Sequence, residues 1–437
     1  MREPLLIPTV SSPVIGAACP PGSKSITNRA LVCAALARGR SRLSGVLDSD
    51  DTRVMADGLA CLGAGIEADW PGRTIVVTGT HGAIPATDAS IDCAASGTTM
   101  RFLSAICGLG IGTYRLDGTP RMRQRPIGDL IEALRDQAID AVAESPGGCP
   151  PVVIRSRGMP GGATRVRSET SSQFASGIAL ASPCSTHGME IAFAGKVVSL
   201  PYLEMTRRVM EAFGAVCEVL PNGRWRIPPL GYEPRDYPIE PDASAASYFT
   251  AAAAITGGRV RIEGLGSESL QGDIEFCHAL EKMGCDVSWE PRAVTVSGRA
   301  ARGIDIDMNA ISDTVLTLAV VAVFADGPTT IRNVAHVRDK ETDRIGDLVR
   351  ELRRLGADVD EHPDGLTVRP SGTASELHAA RIHTYDDHRM AMSLALAGLR
   401  IPGVEIEDPM CVKKTFPGYW QALADLAKFP TSFVPPG

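Results

Sequence analysis

Six short polar stretches carry residue types suited to small anions. They are Pro21-Gly22-Ser23-Lys24-Ser25, the Arg-rich run Pro120 to Pro126, Ser171-Ser172-Gln173, Lys340-Glu341-Thr342-Asp343-Arg344, Tyr385 to Arg389, and Lys413 to Pro417. In the first, Gly22 and Ser23 precede an apolar run, Ala30 to Ala37. Backbone N–H groups at that helix start would face an anion, with Lys24 beside them and Arg29 about one turn after Ser25. The spacing lacks the paired glycines of a nucleotide phosphate loop. A plain Ser or Thr helix cap would use the same residues. Ser96-Gly97-Thr98-Thr99-Met100-Arg101 is another small-residue turn, in which Gly97 permits close approach of backbone to a ligand.

Arg121, Arg123 and Arg125 alternate, so an extended segment would put them on one side. One is expected to grip a ligand and two to make structural pairs, because clustered guanidiniums need compensating anions. Ser171, Ser172 and Gln173 supply two hydroxyls and an amide for a phosphate or polyol. Asp313 precedes the most apolar helical run and suits either an N-cap or a partly buried general base. On a helix, Lys340 and Arg344 would share a face with Glu341 beside them, giving two cations and a carboxylate or a solvated salt-bridged surface. His388 is a further titratable group, next to Arg389.

The elements that must position these residues follow from the rest of the chain. At 437 residues it exceeds one core and calls for two domains or a repeated unit. Lys+Arg number 44 against 51 Asp+Glu, a net charge of -7 that repels anions at long range, so cations must be focused locally. Aromatic content of 5% argues against base-stacking nucleic-acid surfaces. Eleven scattered cysteines without a two-residue gap read as free buried thiols in a reducing compartment, with no zinc ribbon. The apolar stretch from Val315 to Ala325 is too short for a membrane span, which needs about 20 residues. The residues from Met1 to Leu5 do not read as a secretory signal, and a cytoplasmic protein without a long transit peptide is expected.

A pattern of amphipathic helix, glycine and strand recurs at Gly63, Gly214, Gly284 and Gly356, with a degenerate copy at Gln137. The intervals of 74, 77, 70 and 72 residues predict about six units in two globular domains of three each. Pro-containing stretches at Cys19 to Gly22 and Ile239 to Asp242 suit crossovers between domains, whereas Gly147 to Pro151 and Gly158 to Gly162 read as surface turns.

In their order, these motifs resemble the 5-enolpyruvylshikimate-3-phosphate (EPSP) synthase family over essentially the whole chain. The resemblance rests on Pro21 to Ser25, Leu47 to Thr52, Asp117 to Met122, Ser171 to Phe174, Asp242 to Tyr248, Gln271-Gly272-Asp273, Lys340 to Arg344, Asp387 to Met392 and Lys414 to Pro417. It implies an α/β fold: a two-domain inside-out barrel of six βαβαββ units, with the active site in the interdomain cleft and closure around the substrates. Domain I would comprise residues 1–22 and 243–437, domain II residues 23–242. The implied reaction transfers the enolpyruvyl group of phosphoenolpyruvate to the 5-hydroxyl of shikimate 3-phosphate by addition and elimination, without metal or other cofactor. A monomer binding no nucleic acid and no membrane is expected.

Carried over by residue, the resemblance implies that Lys24, Ser25, Arg29, Ser171, Ser172, Gln173, Ser199, Asp313, His336 and Lys340 hold shikimate 3-phosphate. Lys24, Gly97, Arg125, Gln173, Arg344, Arg389 and Lys414 would hold phosphoenolpyruvate. Asp313 would accept the hydroxyl proton and Glu341 donate one, with Lys24 and His388 completing the catalytic set. The chain departs from the family pattern at Ala94-Ala95, where Gly-Asn is common, at Leu200, where Lys is frequent, and at His336, where Asn is common. An enolpyruvyl transferase with another acceptor, such as a UDP-sugar, and a non-catalytic phospho-ligand-binding paralogue remain alternatives. The stretch Gly118 to Pro126 lacks the Cys expected of the UDP-sugar enzyme.

Overall fold

The computed structural model describes residues 3–195, 197–370 and 377–435. The chain separates into two compact units, one of Met1–Pro21 with Pro241–Gly437 and one of Gly22–Glu240.

Gly22–Glu240 holds three four-stranded sheets built on one plan. In one of them, Asp88–Asp92 pairs parallel with Ile111–Asp117, which pairs antiparallel with Cys149–Arg157, which pairs antiparallel with Asp140–Ser145. Helices Gly97–Cys107 and Gly128–Asp136 fall between its strands, giving the chain order βαβαββ. A parallel pair needs such a crossover, whereas the last two strands need only a turn. Gly162–Arg167, Met189–Ala194, Trp225–Ile227 and Glu218–Val219 repeat the arrangement. In the third sheet the strand Asp236–Pro238 closes on Arg40–Ser44 from far along the chain.

The other unit repeats the plan in two four-stranded sheets and a three-stranded one. Residues Asp305–Asp307, Thr329–Arg332, Gly365–Arg369 and Asp358–His362 form one, in that spatial order, from four strands consecutive in the chain. Ile15–Ala18 completes another by pairing parallel with Arg259–Glu263. Leu5–Leu6 joins Glu405–Ile406 and Arg381–Ile382 in the smallest.

Several helices lie wholly inside, Val315–Ala322 being the most apolar of them. Every residue of Ala243–Thr256, Val315–Ala322 and His388–Ala395 is buried, as is every residue of Gly97–Cys107. A helix apolar on all sides can only be satisfied within a core. Helix Gly346–Arg354 is amphipathic instead, with Leu348, Val349 and Leu352 buried.

The recurring glycines are left-handed, with φ of +109° at Gly63, +83° at Gly214, +106° at Gly284 and +88° at Gly356. In the degenerate copy the left-handed residue is Ala138, at φ +56°, one position beyond the expected Gln137. The stretch read as a surface turn at Gly147 to Pro151 is one only at its start. Cys149, Pro150 and Pro151 are buried in the strand Cys149–Arg157, where apolar neighbours outweigh the turn propensity of proline.

Candidate active site

Within Gly22–Glu240 the site residues collect at helix starts. Ser23 caps the helix Lys24–Leu36, accepting the Ile26 N–H at 3.4 Å. The Lys24 ammonium lies 3.5 Å from the buried carboxylate of Asp51. Arg29, only 2% exposed, donates from Nε to Thr206 Oγ1 at 2.8 Å. Its Nη1 and Nη2 donate to the Ser25 and Tyr202 carbonyls at 2.8 and 3.1 Å. Burial pulls its guanidinium down to about 10, which leaves it charged at neutral pH. These three acceptors are neutral, so they orient the charge without cancelling it, which suits an incoming anion.

Ser171 caps the helix Ser172–Ala181. Gln173 accepts from Arg101 Nη1 at 2.6 Å and donates to Thr98 Oγ1 at 3.1 Å. The same Arg101 nitrogen reaches Ser171 Oγ at 3.4 Å. Gly97 opens its helix so close to Arg125 that a Cβ there would lie 2.8–2.9 Å from the guanidinium. Arg121, Arg123 and Arg125 do not alternate along an extended strand, because Met122–Gln124 is a 3₁₀ turn. Arg123 pairs with Asp117 at 2.8 Å, Arg121 donates to Gln124 at 3.2 Å, and Arg125 is buried. Ser199 is buried in a left-handed conformation, φ +53°, ahead of the helix Leu200–Ala212. Leu200 is 58% exposed.

The unit of Met1–Pro21 and Pro241–Gly437 holds a denser cluster. Arg344, with its side chain 2% exposed, meets Asp387 through Nε at 2.7 Å and Nη2 at 3.2 Å. It also meets Glu341 at 2.8 Å and Asp313 at 3.3 Å. Burial opposes its charge, but Asp387, Glu341 and Asp313 together outweigh that penalty and hold its pKa above the ordinary value. Arg389 lies 2.8 Å from Asp313, Lys340 lies 3.8 Å from it, and Lys414 lies 2.6 Å from Glu341. Asp387 also caps the helix His388–Ala395, accepting the Arg389 N–H at 2.8 Å. His388 is buried, its Nδ1 3.5 Å from Asp387. His336 is buried in the turn Ala335–Asp339.

Lys340 to Ile345 is not helical, since the helix begins at Gly346. Asp343 caps the turn, accepting the N–H groups of Ile345 and Gly346, and a looped chain lets Lys340 and Arg344 both reach Asp313. Asp313 is no N-cap. Thr314 holds that position, and the Asp313 carboxylate faces Arg344 and Arg389.

Asp51, Arg101, Thr206 and Asp387 emerge only from the structure as partners of site residues. For Asp51, Arg101 and Asp387 the one signal in the sequence is their place inside the polar motifs, and Thr206 has none.

The fold is an α/β one, with cations gathered beside buried carboxylates and helix starts. The model of EPSP synthase (3-phosphoshikimate 1-carboxyvinyltransferase) matches residues 8–423, and the chain belongs to that family. It is 45% identical over 416 residues to 3-phosphoshikimate 1-carboxyvinyltransferase of Nostoc punctiforme, covering 95% of this chain and 97% of that one. The chloroplastic enzyme of Brassica napus is 42% identical over 93% of this chain and 82% of its own. Among solved structures, EPSP synthase from Acinetobacter baumannii shares the fold with a TM-score of 0.78 at 24% identity, over 97% of both chains. The enolpyruvyl transferase NikO from Streptomyces tendae does so at 0.73 and 19%, again over 97% of both. This protein is thus a transferase of the shikimate pathway, which passes the enolpyruvyl group of phosphoenolpyruvate to shikimate 3-phosphate.

Proposed function

We propose that the residues of Gly22–Glu240 bind shikimate 3-phosphate through Lys24, Ser25, Arg29, Ser171, Ser172, Gln173 and Ser199, joined by Asp313, His336 and Lys340. Phosphoenolpyruvate is held by Lys24, Gly97, Arg125, Gln173, Arg344, Arg389 and Lys414. The six-unit inside-out barrel with its substrates in the interdomain cleft belongs to the same reading, supported by a strand plan that recurs in all five four-stranded sheets. Eleven free thiols suit a reducing, cytoplasmic setting.

The observation that carries the assignment is the contact of two carboxylates, Asp313 and Glu341, with four cations. Asp313, paired with Lys340, Arg344 and Arg389, accepts the proton of the 5-hydroxyl as its oxygen attacks carbon 2 of phosphoenolpyruvate. When the phosphate and carboxylate of that substrate take over Arg344 and Lys414, Glu341 loses its cations. A carboxylate stripped of cations favours its protonated form, so Glu341 can deliver a proton to carbon 3. Elimination reverses the proton movements: carbon 3 loses a proton and phosphate leaves with one. Lys24 and His388 stabilise the charge that develops.

Phosphate release from phosphoenolpyruvate tests the assignment, with shikimate 3-phosphate and UDP-N-acetylglucosamine offered separately and no metal added. Release with shikimate 3-phosphate alone is expected. Release with the UDP-sugar, or with neither acceptor from folded protein, would overturn the proposed acceptor site.

A further inference from the structure

Immediately before Asp387-His388-Arg389, the chain runs through two consecutive left-handed residues that are not glycine, Tyr385 at φ +55° and Asp386 at φ +56°. L residues adopt that conformation only where their surroundings hold it. One group that reaches this turn is Glu351, a side chain with no exposure in the helix Gly346–Arg354, which also pairs with Arg354 at 3.2 Å. Its Oε1 accepts the Tyr385 hydroxyl at 2.8 Å, and its Oε2 accepts the backbone N–H of His383 at 3.1 Å. Arg350 donates to the Tyr385 oxygen at 3.0 Å, and the Tyr385 ring packs edge-on to His383 at 4.4 Å. Burial raises the Tyr385 phenol above its ordinary value, which keeps it a donor at neutral pH.

The helix that carries Glu351 begins two residues after Arg344, and the turn that carries Tyr385 ends at Asp387. The same two segments therefore meet twice, through Arg344 with Asp387 and through Glu351 with Tyr385 and His383. The second contact fixes the turn from which Asp387 orients Arg344 and from which Arg389 projects toward Asp313.

We propose that Tyr385 and Glu351 are positioning residues for phosphoenolpyruvate, their hydrogen bond holding the left-handed turn that sets Arg389 and Asp387 against Arg344. This rests on the reading that Arg344 and Arg389 hold that substrate.

The test uses Tyr385→Phe, Glu351→Gln and the double variant, with KM for each substrate, kcat and melting temperature measured for all. Tyr385→Phe keeps the ring packing and removes only the hydroxyl. Each single change is expected to raise KM for phosphoenolpyruvate about tenfold, with KM for shikimate 3-phosphate within about twofold. The amide of Glu351→Gln keeps one acceptor oxygen for two donors, Tyr385 and the His383 N–H, so both single changes weaken the same contact and the double variant should fall short of their sum. Should Glu351→Gln not fold, Tyr385→Phe decides alone. An unchanged KM for phosphoenolpyruvate, with or without a lower melting temperature, would reduce the pair to a structural role and overturn the proposal. An equal rise in both KM values would do the same. Arg389→Lys is the control. If it leaves KM for phosphoenolpyruvate unchanged, the substrate assignment itself fails. If it raises that KM while Tyr385→Phe does not, only the brace fails.

Discussion

Asp313 meets Arg389 at 2.8 Å, Arg344 at 3.3 Å and Lys340 at 3.8 Å, with a side chain only 14% exposed. These ion pairs aim the carboxylate in one direction, which the proposed role as proton acceptor requires. Asp313→Asn keeps the shape and removes the base. Turnover is expected to fall at least about 100-fold, with shikimate 3-phosphate still bound, as read by phosphate release beside calorimetry. Gly97 offers a steric test at the same scale. A Cβ at 2.8–2.9 Å must displace the Arg125 guanidinium, a flexible end that moves at little cost to the fold. Gly97→Ala should raise KM for phosphoenolpyruvate about tenfold while the melting temperature hardly moves. Residues of this kind are legible in a sequence because type and spacing announce their chemistry. Asp387 and Thr206 are not, since they act on other side chains from 43 and 177 residues away, distances that only the fold closes.

At the scale of elements, the repeat was readable because its punctuation is chemical. Gly63, Gly214, Gly284 and Gly356 all sit at positive φ between a helix and a strand, where a Cβ is penalised. What the pattern cannot carry is the local path of a polar loop. Lys340 to Arg344 has helical spacing, yet the N–H groups bonded by Asp343 and the pull of several ion pairs favour a looped chain. The 3₁₀ turn at Met122–Gln124 likewise follows from local hydrogen bonding that overrides alternation. The helix ends themselves make a paired prediction. Gly284→Ala should destabilise by about 1–2 kcal/mol, because φ is +106° and the nearest atom, on Arg302, is a tolerable 3.4 Å from the new Cβ. Ala138→Gly, at φ +56°, should stabilise by up to about 1 kcal/mol. Denaturant midpoints measured together check both signs, and equal effects in the same direction would contradict the strain argument.

Across the whole molecule, a net charge of -7 coexists with cations gathered at helix starts and around Asp313 and Glu341, so local focusing has to overcome long-range repulsion. The same burial that isolates those cations governs the eleven thiols. Cys19 and Cys61 are exposed, whereas Cys33, Cys93, Cys107, Cys149, Cys217, Cys277, Cys285 and Cys411 are buried and Cys184 is half-buried. Burial raises the thiol pKa of Cys184, Cys217, Cys277 and Cys285 to about 12, and pushes Cys33, Cys93, Cys107 and Cys411 up as well. A raised pKa lowers the thiolate fraction at a given pH, and the thiolate is the reactive form. Native protein titrated with a disulfide reagent near pH 8 should therefore react quickly at two thiols, those of Cys19 and Cys61, each expelling one thiolate of the reagent. Protein unfolded in guanidinium should react at all eleven. Replacing both exposed residues with Ser should abolish the fast phase without affecting turnover, since neither belongs to the proposed site. A third fast thiol would locate a segment that opens on the timescale of the reagent, and Cys184 is the first place to look for it.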